Sequence, residues 1–241
     1  VTVDIAATAL KAGETSSVTL TFNEAPQGFE LGDIASAQGS FSGLAATSDP
    51  LIWTATFTPT ADITNTATVT VTAGSYTDVA GNLGTAGSDT ALVDTQGPAA
   101  PTLALTTDSG ISGSDKITNV GALTVGGTET GALVEYSTNG TDWSSSFTPA
   151  QGSNTVYVRQ TDTAGNVSPA SPALTFTYDT TAPSVTVDIA ATALKAGETS
   201  SVTFTFSEAP QGFALGDIAS AQGSFSGLTA TANPLVWTAT F

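Results

Sequence analysis

Val18-Thr19-Leu20-Thr21-Phe22 and Leu51-Ile52-Trp53-Thr54-Ala55-Thr56-Phe57 decide the fold. In both stretches apolar residues recur at every second position, with Thr between them. A period of two sends one set of side chains to a core and the other to water, which is the pattern of a half-buried β-strand. Thr suits the pleated surface because its branched Cβ packs well there. Outward from these stretches, the same alternation bounded by turn residues predicts strands at Val1–Ile5, Ser17–Phe22, Phe29–Ile34, Ser40–Ala45, Leu51–Thr58, Ala67–Thr72 and Asp89–Val93. Seven short strands in about 95 residues is the mark of a β-sandwich. The 24 Gly and 11 Pro interrupt the chain throughout, and no segment holds a helical apolar period over three turns. The reading is all-β.

The chain also repeats itself. Residues 1–57 recur at 185–241 without a gap, and only seven of the 57 positions differ: Leu20/Phe204, Asn23/Ser207, Glu30/Ala214, Ala45/Thr229, Ser48/Ala232, Asp49/Asn233 and Ile52/Val236. Inside this period, Asp94-Thr95-Gln96-Gly97-Pro98 and Asp179-Thr180-Thr181-Ala182-Pro183 share the pattern D-T-x-x-P. Each follows a predicted strand, and each is preceded by an acidic A-G-N loop, Asp78–Asn82 or Asp162–Asn166. Three modules are therefore expected: residues 1–96, 97–182 and 183–241. The middle one is predicted to have strands at Thr102–Thr106, Ala122–Thr128, Leu133–Ser137, Asp142–Phe147, Asn154–Thr161 and Leu174–Tyr178. The third holds five of the seven strands of the first and lacks the last two, so it is not expected to close a sandwich by itself.

Composition removes several functions. The net charge is −17, with 21 acidic residues against Lys11, Lys116, Arg159 and Lys195. Four basic side chains cannot neutralise a run of phosphates, so nucleic acid is excluded as a partner, as is an anionic membrane surface. No apolar run is long enough to insert into a membrane. Cys and His are absent, which removes disulfides, nucleophilic triads and His-based zinc sites. A carboxylate pair could in principle cleave glycosides, but nothing singles out one pair in a cleft. The chain is not expected to be an enzyme.

Three stretches carry a resemblance: "VTLTFNEAPQGFELGDI", "WTATFTPT" and "YTDVAGN" in the first module. They resemble the bacterial Ig-like repeats of giant secreted, RTX- and biofilm-type adhesins. The middle module, with "VGALTVGGTETGALVEYSTNG" and "VRQTDTAGNVS", resembles a second, alternating type from such proteins. The resemblance covers the whole chain. It implies tandem immunoglobulin-like Greek-key β-sandwich modules in an extracellular protein of the bacterial cell surface. It further implies an extender role in adhesion or biofilm formation, with calcium ions at the module junctions.

The residues supply a candidate for those ions. In a seven-strand sandwich, the loops after the second and sixth strands share a pole with the N-terminus. That pole gathers Glu24, Asp78 and Asn82 in the first module, and Glu129, Asp162 and Asn166 in the second, where the linker brings Asp94 as well. The next junction should use Asp179 and Glu208. Calcium takes six to eight oxygens from carboxylates, carbonyls and water, and these residue types supply them. Against this stands the plainer reading that D-x-A-G-N is only a turn, since Asp, Gly and Asn are common turn formers. A second acidic loop, Asp108–Asp115 with Asn119, is more simply a solvated turn.

The partners expected are neighbouring modules of the same chain and other copies of it. The alternative is a glycan- or protein-binding module. Trp53 and Trp237 occupy equivalent places inside an alternating strand, which favours core packing, whereas Trp143, after Asn139-Gly140, is the aromatic residue best placed for ligand contact.

Overall fold

In the computed structural model, which describes residues 1–241, the two opening stretches lie side by side. They form β3 (Ser16–Thr21) and β6 (Ile52–Pro59), antiparallel, with Leu20 opposite Trp53 and Val18 opposite Ala55. With β1 (Thr2–Ile5) and β5 (Gly39–Ala46) they make a sheet of order β1-β3-β6-β5. The opposing sheet comprises β2 (Ala9–Lys11), β8 (Gly87–Asp94), β7 (Thr64–Val71) and β4 (Ile34–Ala35), in that order.

The alternation becomes a core. Val3, Ile5, Val18, Leu20, Ala55 and Phe57 from one sheet meet Leu10, Ala67, Val69, Val71, Ala91 and Val93 from the other. Full burial of one such large apolar side chain contributes about 1.5–3 kcal/mol. At one end Phe22 packs edge-on against Phe29 and Tyr76, each at 5.0 Å, and Phe29 packs against Trp53 at 5.6 Å. Trp53 is half-buried against this core, as the alternation indicates. Consecutive strands repeatedly change sheet (β1 to β2, β3 to β4, β6 to β7), the Greek-key connection of an immunoglobulin-like sandwich.

Two strand expectations need correction in this sandwich. Phe29–Ile34 is not a strand: Leu31–Asp33 forms a 3-10 turn, leaving only Ile34 and Ala35 paired with β7. The Asp33 carboxylate accepts the Glu30 N–H at 2.8 Å, and the Asp33 N–H returns to the Glu30 carbonyl at 3.0 Å. These local bonds outcompete the sheet ladder. The missed element is β2, which runs parallel to β8, with Leu10 opposite Val93 and Lys11 opposite Asp94. It is too short for alternation to reveal.

Residues 102–178 form a thinner sandwich. The sheet β10 (Ile117–Thr118), β14 (Leu174–Tyr178), β13 (Gly152–Thr161), β12 (Leu133–Ser137) faces the pair β11 (Leu123–Gly126) and β9 (Thr102–Leu105). The strand expected at Asp142–Phe147 is replaced by a turn. Asn139 Oδ1 accepts the N–H groups of Thr141 and Asp142, and its amide donates to the Asp142 carboxylate, leaving one bridge between Tyr136 and Ser144. Beside β13 runs Ser168-Pro169-Ala170-Ser171-Pro172. Pro lacks an N–H for the ladder, and the Ser hydroxyls contribute to the pairing instead: Ser168 accepts from Gln160 N and Ser171 from Val158 N, both at 3.0 Å.

The chain divides into two compact units, Val1–Asp179 and Thr180–Phe241. The second is a single four-stranded sheet of β15 (Val185–Ile189), β16 (Ser201–Phe206), β18 (Val236–Thr240) and β17 (Ser226–Ala230). Its order reproduces β1-β3-β6-β5, and Phe206, Phe213 and Trp237 repeat the aromatic contacts of Phe22, Phe29 and Trp53. The third of its five expected strands, the counterpart of Phe29–Ile34, again gives way to a turn at Leu215–Asp217. Without a facing sheet, Val187 is 55% exposed where its counterpart Val3 is 6% exposed.

Candidate functional site

The D-T-x-x-P linker of the first unit is held at both ends. Thr95 is buried; its hydroxyl donates to the Thr60 carbonyl at 2.8 Å and accepts the Ile63 N–H at 3.1 Å, fastening the linker to the first sandwich. Pro98 is buried too. On the far side, Gln160 of β13 takes over. Its fully buried amide donates to the carbonyls of Ala99 and Gly127, at 2.8 and 3.0 Å, and accepts the Glu129 N–H at 2.8 Å. Every polar atom of that side chain is matched, as a buried amide requires.

Between these anchors stands the Asp162–Asn166 loop. Asp162 Oδ1 accepts the N–H groups of Gly165 and Asn166 at 2.7 and 2.8 Å, and Oδ2 accepts from Asn166 Nδ2 at 2.9 Å. Burial pushes the Asp162 carboxyl up. Hydrogen bonds from the Asn166 side chain and the backbone of Asn166, Gly165 and Ala164 outweigh it and hold the group below its ordinary value. Asn166, only 4% exposed, then reaches across the joint: Nδ2 donates to the Asp94 carbonyl and Oδ1 accepts the Ala12 N–H, both at 2.9 Å. Ala12 lies in the turn Lys11-Ala12-Gly13-Glu14, closed by Lys11 N–H to Glu14 Oε2 at 3.1 Å. Gly165, at φ +93°, admits the Lys11 side chain: a Cβ there would stand 3.1 Å from Lys11 Nζ.

Asp94, Glu129 and Asp162 line one hollow of this joint, with Gln96, Gly97 and Ala99. Asp94 Oδ1 accepts from the Thr64 hydroxyl at 2.9 Å, and Glu129 is exposed. A lining that carries three carboxylates offers the donor chemistry of a hard cation such as calcium. The carboxylates do not converge on one point close enough to hold an ion as they stand. Asn166, proposed as a further ligand, has its oxygen committed to Ala12.

Glu24, Asp78 and Asn82 line a hollow at the N-terminal pole of the first sandwich, beside Val1 and Leu83. The Asp78 loop repeats the Asp162 loop: Asn82 N–H and Nδ2 bond the Asp78 carboxylate at 2.8 and 2.7 Å, and Asp78 N–H bonds the Asn82 carbonyl at 3.0 Å. The Asn82 side chain leads the bonds that hold the Asp78 carboxyl below its ordinary value. Asp179 belongs to the first unit, where its N–H donates to Thr118 O and its carboxylate accepts from Gln151. Glu208 is exposed in the second unit. The Asp108–Asp115 loop closes on itself, with Asp108 accepting Lys116 N–H at 2.8 Å and Asp115 accepting Ile117 N–H at 3.0 Å. Trp143 carries the Arg159 guanidinium over its ring at 4.4 Å, and Arg159 pairs with Glu135 at 2.9 Å, so one aromatic face is already covered.

Sequence reasoning missed Gln160 and Thr95. Gln160 did leave a signal, because it continues the inward alternation of Val156 and Val158 with a polar residue.

The fold defines the immunoglobulin-like β-sandwich class. The model of the bacterial Ig-like domain family matches residues 1–95 and 179–241, and the chain belongs to that family. Domains of this family are generally non-enzymatic and typically extracellular or surface-exposed. No match was found among curated proteins. No helix is long and apolar enough to cross a membrane.

Proposed function

We propose that this chain is an extender segment of a bacterial cell-surface adhesin, serving adhesion or biofilm formation by holding successive sandwiches at a set angle and spacing. The observation that carries this reading is the joint itself: Thr95, Gln160 and Asn166 hold the linker and the Lys11–Glu14 turn by direct hydrogen bonds. A Gly-rich tether would behave as a flexible coil; a short linker with Pro98 and paired backbone groups does not.

Calcium is the second part of the proposal. Asp94, Glu129 and Asp162 are the residues that would hold it, and their support is shared placement around one hollow with no basic side chain among its lining residues. The ion would supply positive charge where three carboxylates otherwise repel one another. Small-angle scattering with calcium and with excess chelator, alongside far-ultraviolet circular dichroism, tests both parts. The proposal expects a shorter mean length and broader envelope in chelator at unchanged dichroism. A single length under both conditions removes the ion and leaves the direct hydrogen bonds to stiffen the segment.

A further inference from the structure

The outer face of the second sheet of the first sandwich breaks its own pattern beside the joint. Along β7 and β8 the outward positions are Thr or Ser except at Leu92 and Asp94. Leu92 is 62% exposed. A lone exposed leucine is ordinary, but this one lies in a hollow of about 740 Å³, within the roughly 300–1,000 Å³ of small-molecule sites. The floor is two rows running across three strands. Ala9, Leu92 and Thr66 form the first row, and Lys11, Asp94 and Thr64 the second. Thr163 and Ala164 of the second sandwich complete the lining, so both sandwiches build the hollow. The second row offers donors and acceptors side by side. The Lys11 ammonium has no ion-pair partner. Asp94 accepts from the Thr64 hydroxyl and the Gln96 N–H through Oδ1 alone, which leaves Oδ2 to a ligand.

We infer that this hollow binds an uncharged saccharide, with the C–H face of a pyranose ring on Leu92 and the ring hydroxyls along the Lys11–Asp94 row. Charge decides the class of ligand. Two carboxylates in the lining, Asp94 and Glu14, turn away an anion, and the Lys11 ammonium beside them turns away a cation. A wholly apolar ligand would strip water from all three charged groups and replace none of its hydrogen bonds. A sugar hydroxyl both donates and accepts, so one rim of a ring answers the ammonium and the carboxylate together. The opposite requirement, an apolar surface for the ring face, is met by the one outward leucine of the sheet, with Ala9 beside it. A ligand seated there touches Thr163 and Ala164 as well, and so reaches both sandwiches.

Carbon-13 spectra of the leucine methyls follow this site directly, with the Leu92 signals assigned by their loss in Leu92→Thr. The probes are linear tetrasaccharides of glucose, mannose, galactose and xylose, with tetragalacturonate and the glucosamine tetramer as anionic and cationic counterparts. At least one neutral probe should move the Leu92 methyls saturably while the core methyls of Leu20 stay fixed, and neither charged probe should do so. Leu92→Thr continues the pattern of the face and removes nothing from the core. It should weaken binding of that probe about tenfold by calorimetry, with circular dichroism verifying the fold. Silence of Leu92 toward every neutral probe at millimolar concentration, an equal response to a charged tetramer, or unchanged binding in Leu92→Thr would overturn the inference. None of these results touches the extender reading, which rests on the Asn166 contact within the joint.

Discussion

Asn166 Oδ1 accepts the backbone N–H of Ala12 at 2.9 Å, across 154 residues of chain. One amide therefore ties the last loop of the second sandwich to the first turn of the first. Its orientation is fixed by its partners, since Ala12 offers only a donor while the Asp94 carbonyl and Asp162 carboxylate only accept. Asn166→Ala should leave both sandwiches folded but weaken their coupling by about 1–3 kcal/mol, the cost of stranding partly buried backbone groups. The difference between unfolding the two together and each alone measures it.

Gln160 is a heavier test of the same joint. Replacing it with Leu removes an amide that satisfies Ala99, Gly127 and Glu129 at once and leaves those groups without partners. Urea unfolding of Gln160→Leu should reveal a loss of roughly 3 kcal/mol, confined to the transition of the second sandwich.

Trp53 separates packing from polarity. Its ring packs on Phe29, while its Nε1 is buried without a partner. Trp53→Ala should destabilise the first sandwich by roughly 3–5 kcal/mol. Trp53→Phe removes an unpaired N–H and should cost about 1 kcal/mol or less. Equal losses for the two variants in chemical denaturation would contradict the packing described here.

Acid should loosen the joint. The Asp162 carboxyl is held below its ordinary 3.8 in the folded chain. Its contribution is thus complete above that value and is lost as pH falls through the lower folded-state value. Carbon-13 titration of the Asp162 carboxyl should place its midpoint below 3.8, and Asn166→Ala should raise it by removing the side-chain bond.

Much of this architecture was legible in the residues, for identifiable reasons. Val18, Leu20, Ala55 and Phe57 alternate without interruption, and a period of two admits only one burial pattern. The Leu31–Asp33 and Asn139–Asp142 turns were hidden because a single side chain redirects the backbone, against the local apolar pattern. β2 was hidden because three residues carry no period. At the joint, the residue types were visible at Asp94, Glu129 and Asp162. The work of Asn166 and Gln160 was not, because their partners are backbone groups, which every residue offers alike.

A fixed angle between the first two sandwiches is the central requirement of an extender, and one distance measures it. Spin labels on Ser42→Cys in the first sandwich and Thr124→Cys in the second, in a chain with no other Cys, give that distance by pulsed electron resonance. In calcium the account predicts one narrow distribution, which broadens severalfold in the Asn166→Ala, Gln160→Leu double variant while both sandwiches stay folded. A broad distribution in the unsubstituted chain with calcium present would contradict it.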